Sequence, residues 1–215
     1  MHVYYFLGKG GFKMNHWDDK FDSNDYIYGK EANAFVQNIF QMPSTKQEKV
    51  VLLAEGEGRN AIYLAKLGYD VTTYDMSRVG INKQYKLAEE SNVDIEAIYG
   101  DITQSDLIPQ ASFDYSINIF GHVPNEGKQG MFNNLIQPLV TGGHSYFEFY
   151  STEQLAYGTG GPKDESMLYD IDEIKNYLGH LPVKIHKLEK SEIDRNEGSK
   201  HTGTGSIIQG HLEKI

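Results

Sequence analysis

The stretch with the clearest chemical content is Ala54-Glu55-Gly56-Glu57-Gly58-Arg59-Asn60-Ala61. It follows the short apolar run Val50 to Ala54, so its two glycines fall where a buried strand ends and a helix begins. Glycine lets the backbone turn sharply and approach a ligand closely, and open parallel sheets bind ligands at the carboxyl ends of their strands. Two acids follow at useful distances. Asp75 ends the next strand-like segment and is placed to accept from both hydroxyls of a ribose, and Asp101, in Tyr-Gly-Asp-Ile, is placed to accept from an adenine amino group. Each has a plainer reading as well: a helix cap for Asp75, an ordinary turn for Asp101.

Gly56, Gly58 and Ala61 satisfy the dinucleotide pattern G-x-G-x-x-G/A, with Asp75 at the spacing of a ribose-binding acid. A dinucleotide sets its anionic pyrophosphate on the helix N-terminus, where Glu55 and Glu57 would repel it. S-adenosylmethionine brings a sulfonium, an ammonium and a single carboxylate, so acidic neighbours cost far less. Charge therefore favours S-adenosylmethionine over a nicotinamide or flavin dinucleotide; a turn that binds nothing is the third reading.

The elements needed to position these residues are legible as alternating strand-like and helix-like segments from Glu31 to about Gly179, the pattern of an α/β fold with a parallel sheet covered on both faces. Helices are predicted over 31–41, from Ala61 to a stop at Gly68, from a Ser77 cap to about Glu90, weakly over 124–140, and over 170–179. Strands are predicted over Val50–Ala54, Tyr69–Asp75, Val93–Tyr99, Phe113–Phe120 and His144–Tyr150. Segments 184–192 and 205–213 read as an antiparallel pair closing the sheet edge, joined by a polar stretch.

The bulk properties set limits. With 215 residues and 39% hydrophobic composition the chain suits a single domain, assigned to 14–215. A net charge of -10 without basic clusters argues against nucleic acid as partner. No apolar run is long enough for a membrane span, and the absence of cysteine excludes thiolate chemistry and Cys-ligated zinc and is compatible with a reducing cytoplasm. His16, His144, His180 and His186 are dispersed without metal-ligand spacing, so no metal site is expected. Lys9-Gly10-Gly11 can be encoded by a bacterial ribosome-binding sequence ahead of Met14, which makes 1–13 a candidate translated leader.

Taken together, these motifs resemble the class I S-adenosylmethionine-dependent methyltransferases of the tellurite-resistance type, from Trp17 onward. The opening pattern W-D-x-x-[FY], Y-x-Y-G-x-x-x-N-x-F is matched by Trp17, Asp18, Phe21, Tyr26, Tyr28, Gly29, Asn33 and Phe35. The donor motif is matched by Glu55 to Asn60, with Ala54 where the commoner G-x-G-x-G has its first glycine. Ile119-Phe120-Gly121-His122-Val123-Pro124, the segment 154–162 and the segment 197–203 match in order. The resemblance implies a Rossmann-like three-layer sandwich whose seven-stranded, mostly parallel sheet has the order 3-2-1-4-5-7-6, with an antiparallel C-terminal strand. It also implies a donor pocket lined by Glu55, Gly56, Gly58, Asp75, Met76, Asp101 and Ile102, closed by Ile119 and covered by Tyr28.

Methyl transfer from a sulfonium needs alignment and water exclusion rather than a protein nucleophile. His122, on the loop after the fourth strand, is the candidate base for an acceptor that carries a proton, with a structural role equally open. Trp17, Tyr157, Gly160 and His201 are candidates for the side facing a small-molecule acceptor, Trp17 suiting a core position as well. Gly160-Gly161 before Pro162 suits either a closing loop or a rigid turn. An anionic acceptor would call for Arg59 or Lys163 to face it. The alternatives to an enzyme of this class are a non-catalytic protein that binds S-adenosylmethionine or S-adenosylhomocysteine and an NAD-dependent oxidoreductase.

Overall fold

The computed structural model describes residues 15–197 and 201–215, with the side chains of Asn196, Glu197 and His201 outside that description. The candidate leader 1–13 lies outside the described residues. Helices α1 (His16–Phe21) and α2 (Ala34–Ile39) precede β1 (Lys49–Leu53), α3 (Arg59–Lys66), β2 (Asp70–Asp75), α4 (Arg78–Ser91) and β3 (Glu96–Tyr99). Then come β4 (Phe113–Ile119), α5 (Asn125–Ile136), β5 (Leu139–Tyr150), α6 (Ile171–Leu178), β6 (Val183–Glu197) and β7 (His201–Lys214). The strands form one sheet in the order β3-β2-β1-β4-β5-β7-β6. The pairs from β3 to β5 are parallel, and β7 is antiparallel to both β5 and β6.

Apolar alternation explains the three layers. Val50 and Leu52 of β1 point to one face, where they pack with Val36 and Phe40 at α2 and with Ala61 and Leu64 of α3. Val51 and Leu53 point to the other, packing with Met131, Phe132, Leu135 and Ile136 of α5 and with Ile174 and Leu178 of α6. Each such side chain contributes about 1.5–3 kcal/mol on burial, so the two clusters fix which face each helix covers.

Several boundaries differ from the sequence expectation, each for a local reason. The helix expected from residue 31 starts at Ala34, because Asn33 caps it with Oδ1 accepting from Phe35 N–H at 2.8 Å. The third strand starts at Glu96 rather than Val93, since Asn92 adopts φ 54° and ends α4 there. Gly127 and Gly130, read as interruptions, instead let α5 approach the loop after β3: a Cβ on Gly130 would lie 1.9 Å from the Thr103 carbonyl oxygen. The closing pair is longer than expected. Strands β6 and β7 pair continuously from Val183↔Lys214 to Glu197↔His201, whereas β5 pairs with β7 only as far as Tyr150↔Ile207. What reads as a polar connection is therefore a β-arm extending beyond the carboxyl end of β5.

Candidate functional site

The turn after β1 is built by left-handed backbone at Gly56 (φ 64°) and Gly58 (φ 97°), a region that costs glycine little. Both polar groups of Gly56 are held from the neighbouring β2–α4 unit: its N–H donates to Asp75 Oδ2 at 2.7 Å and its carbonyl accepts from Gln84 Nε2 at 2.9 Å. The other oxygen of Asp75 accepts from Ser77 N–H at 2.7 Å. Asp75 thus serves as a turn anchor first, and burial pushes its carboxyl up to about 6 against those bonds.

Glu55 has a role the sequence does not reveal. Its Oε1 accepts from the backbone N–H groups of Asn60 (2.7 Å) and Ala61 (2.9 Å), and its Oε2 from Asn60 Nδ2 at 3.2 Å. These amides open α3, the place where a dinucleotide would seat its pyrophosphate. The protein's own carboxylate already fills that slot. Burial raises the Glu55 carboxyl to about 7, opposed by the same three donors and by Arg59. Glu57 is neutralised by Lys83 Nζ at 2.8 Å and also accepts from Ile27 N–H, so the repulsion expected from two acids reduces to a slot occupied by one.

The first helix lies across this turn. Asn15 caps α1 and donates to the Met76 carbonyl oxygen, and Asp18 accepts from Ser77 Oγ at 2.8 Å and Val79 N–H at 3.2 Å. Phe21 then reaches Gly56, its ring 3.2 Å from where a Cβ would stand, and also faces Gly80. Tyr28 accepts from Lys20 Nζ at 2.6 Å, and burial raises its hydroxyl to about 12. The Met76 side chain is exposed and Ile102 is buried. Asp101 Oδ1 accepts from Thr103 N–H and Oγ1, while its Oδ2 has no hydrogen bond among the described residues. Ile119 packs at the end of β4 against the α2–α3 face.

A hollow lies toward the carboxyl ends of β4 and β5. A cavity of about 350 Å³ is lined by Asn33, Phe35, Glu148, Ile193, Arg195 and Gln209, among others. A buried polar chain links it to the turn: Asn33 N–H donates to Asn60 Oδ1 at 2.9 Å, and Asn33 Nδ2 to Glu148 Oε1 at 3.1 Å. Gln209 Nε2 donates to Glu148 Oε2 at 2.7 Å. Arg195, carried on the β-arm, stacks over Phe120 (4.1 Å) and Tyr150 (4.8 Å), and none of its three guanidinium nitrogens has a hydrogen-bond partner among the described residues.

His122 is buried beside this hollow, but both ring nitrogens are engaged. Its Nδ1 donates to the Met167 carbonyl at 2.7 Å, and its Nε2 accepts from Tyr150 N–H at 3.2 Å. Burial, with Lys128 and Arg195 nearby, lowers its pKa to about 4. The ring is a neutral brace between two loops with no spare lone pair, so this geometry supports the structural alternative rather than a base.

The remaining acceptor-side candidates do not line the Arg195 cavity. Trp17 stacks on Phe21 beneath Lys20, Tyr157 donates to Glu192 on the arm, and the Gly160 carbonyl accepts from Gln154 at 3.3 Å. The His201 side chain, like the segment 198–200, lies outside the described residues. Of the two cations suggested for an anionic acceptor, Arg59 binds the Tyr28 carbonyl oxygen at 3.3 Å. The cation in the cavity wall is Arg195. Sequence reasoning also missed Gln84 and Glu148, and named Asn33 and Asn60 only as motif matches, because the roles of all four arise from contacts that the fold creates. It missed a spatial grouping too: histidines dispersed along the chain meet as His144, His186 and His211, which overturns the ground on which a metal site was set aside.

The family described as tellurite resistance protein TehB matches this chain over residues 36–180. The chain belongs to the TehB family. Its curated relatives include the TehB proteins of Haemophilus influenzae strains 10810 and KW20, named as probable S-adenosyl-L-methionine-dependent methyltransferases, each 30% identical over 97 residues. That match covers 45% of this chain and 34% of the relatives, so it spans about a third of their length. Among solved structures, TehB from Haemophilus influenzae superposes with a TM-score of 0.66 at 21% identity, over 86% of this chain and 63% of that one. A methyltransferase from Methanosarcina mazei gives 0.66 at 14% identity, over 86% and 99%. Magnesium protoporphyrin IX methyltransferase from Synechocystis, solved with S-adenosylhomocysteine, gives 0.61 at 16%, over 85% and 80%. At these identities the structures establish a shared fold, the Rossmann-like fold of S-adenosylmethionine-dependent methyltransferases, with the strand order expected for it.

Proposed function

We propose that this protein binds S-adenosylmethionine at the turn after β1 and transfers its methyl group to a small acceptor held in the Arg195 cavity. The observation that carries the reading is the Glu55 carboxylate on the Asn60 and Ala61 amides. It leaves the glycine turn open to close approach while denying a phosphate its usual donors, and membership of the TehB family supports the same cofactor. When bound, S-adenosylmethionine supplies an electrophilic methyl on a sulfonium. Asp75 and the free Oδ2 of Asp101 would hold the ribose and the adenine amino group, and α1 with Phe21 would exclude water.

On the acceptor side, Arg195 is ion-paired with Glu148 but keeps guanidinium N–H groups without hydrogen-bond partners among the described residues, a match for a compact group with a negative charge or exposed lone pairs, and the family's description makes chalcogen oxyanions the first acceptors to try. Asn33 and Gln209 keep Glu148 in place, so its charge is partly satisfied before an acceptor arrives. His122 fixes the loops around the cavity rather than moving a proton. Among the described residues, no helix is long and apolar enough to cross a membrane.

The test is calorimetric titration with S-adenosylmethionine, S-adenosylhomocysteine and NAD, followed by an assay of S-adenosylhomocysteine formation with tellurite, selenite, thiols and small carboxylates. Asp101→Ala is the better donor-site variant, because Asp75→Ala also removes the bonds to Gly56 and Ser77. Micromolar binding of the first two ligands, weakened in Asp101→Ala, supports the cofactor. Binding without turnover on any acceptor would favour a non-catalytic binding protein, and binding of NAD alone would overturn the proposal.

A further inference from the structure

Three strands at one edge of the sheet each contribute a histidine to one cluster: His144 from β5, His186 from β6 and His211 from β7, with their potential ligand nitrogens all within 4.8 Å of one another. Two shorter contacts sit inside it. His211 Nε2 lies 3.1 Å from His144 Nδ1, and His186 Nε2 lies 2.6 Å from Glu213 Oε2. Glu213 is also the residue paired with His144 across the β5–β7 ladder. Three imidazoles therefore converge from three strands, with the Glu213 carboxylate held against the His186 side of the group.

The fold holds this arrangement in place. A register shift between Ile185 and Lys187 sets His186 as an extra residue beside the pair Lys187↔His211, and such bulges re-aim a side chain. The His211 ring is clamped between Tyr146 (4.5 Å between centroids) and His186 (4.7 Å). His144 is stacked against Tyr115. Among themselves the imidazoles gain only one N–H···N contact from such proximity, whereas a soft-to-borderline cation uses every lone pair.

We propose that His144, His186 and His211, with Glu213 as fourth ligand, form a site for a divalent first-row transition cation of the zinc type. Imidazole and carboxylate ligands sit about 2.0–2.2 Å from such an ion, and four of them complete a tetrahedron. Closing the spread to that geometry requires side-chain rotation, which is most open to His186, the most exposed member, and to Glu213 beside it. Lys184 Nζ, 3.9 Å from Glu213 and itself exposed, is the neighbouring cation that a metal would displace.

The site is independent of the methyl-transfer reading. His144 pairs with Tyr115, and Tyr115 with Val50 near the start of β1, while the glycine turn follows the far end of that strand. A metal here would staple β5, β7 and β6 together at the edge opposite the cofactor site.

The experiment is titration of chelator-treated, tag-free protein with zinc chloride, with cobalt chloride as a spectroscopic probe, alongside metal content and thermal melts. One equivalent binding at micromolar affinity or better, a raised Tm and the visible bands of a tetrahedral cobalt site are expected. His186→Ala should weaken binding by at least about tenfold, and because that side chain is exposed and gives up only its contacts with His211 and Glu213, the metal-free Tm should fall far less than the metal-induced rise. His144→Gln should weaken it too, and magnesium should not compete. Absence of saturable zinc binding, or binding unchanged in both variants, would overturn the site. S-adenosylmethionine binding measured on the same samples keeps this outcome separate from that of the methyl-transfer proposal.

Discussion

Arg195 Nη2 lies 3.4 Å from Glu148 Oε1, with both side chains almost wholly buried and neither donating nor accepting a hydrogen bond across the gap. Glu148 is satisfied by Asn33 and Gln209, so the strain of the arrangement falls on the guanidinium. An unsatisfied buried polar group costs about 1–3 kcal/mol, and a fold keeps one most readily where a ligand completes it.

The Arg195→Met variant should therefore separate function from stability. Losing the guanidinium removes both the unsatisfied donors and the attraction to Glu148, and the methionine chain still covers Phe120 and Tyr150. Its melting temperature should fall, because the buried Glu148 carboxylate loses its cation, while S-adenosylmethionine affinity should hold and kcat/KM for the acceptor, per folded protein, should fall by about 100-fold or more. A fall in stability with turnover intact would make Arg195 a structural residue.

Gly80 tests how α4 supports the turn. A Cβ there would stand 2.7 Å from the Gly56 carbonyl oxygen and 3.3 Å from Phe21, so Gly80→Ala must push the turn or α1 outward. The expected cost is about 1–3 kcal/mol, with S-adenosylmethionine affinity falling by roughly tenfold. Equal melting curves and equal calorimetric affinities would show that turn and helix are free to yield.

Gly80 also marks where the sequence stops being informative. The run Val50 to Leu53, the glycines at 56 and 58 and the Ser77 cap are local signals, and they locate the strand, the turn and the helix start of the proposed cofactor site without help from the rest of the chain. The strand order came from resemblance alone, since periodicity does not encode which strands are neighbours. Glu55, a pocket-lining residue by resemblance, also accepts from the amides that open α3, a role hidden from the sequence because those donors lie five and six residues ahead at a bend only the fold defines. Arg195 lay in a stretch read as a connection: its importance depends on β6 overrunning β5, which no local pattern announces. The histidine cluster required the register of three strands.

Gly130 extends the argument to the side proposed to hold adenine. The 1.9 Å approach to the Thr103 carbonyl leaves no room for a methyl group, and Thr103 is the residue that holds Asp101. Gly130→Ala should cost about 2–3 kcal/mol by overpacking and weaken S-adenosylmethionine more than a ligand lacking the adenine base. Chemical denaturation and titration with sinefungin and methionine would check both; an affinity loss equal for all three ligands would detach α5 from adenine recognition.

The buried ionisable groups give the pH dependence a defined shape. His122 falls from 6.5 to about 4 on folding, so its contribution is complete above about pH 6.5 and is lost as pH falls through 4, when the folded state must charge a ring that burial keeps neutral. Such a difference is worth on the order of 3 kcal/mol. Glu55 and Asp75 oppose it: burial raises them from 4.5 to about 7 and from 3.8 to about 6, so their contribution is present at low pH and fades as pH rises through those values. In the wild type the two trends partly cancel between pH 4 and 7. In His122→Asn, which retains a donor toward Met167 but no titration, only the carboxyl trend survives. The variant should be less stable than wild type at pH 7.5 and regain most of that deficit by pH 4.5, measured by urea unfolding at both pH values. Turnover at pH 7.5 should fall no more than stability-linked loss of folded protein explains; a loss of several hundredfold with the fold intact would restore His122 as the base.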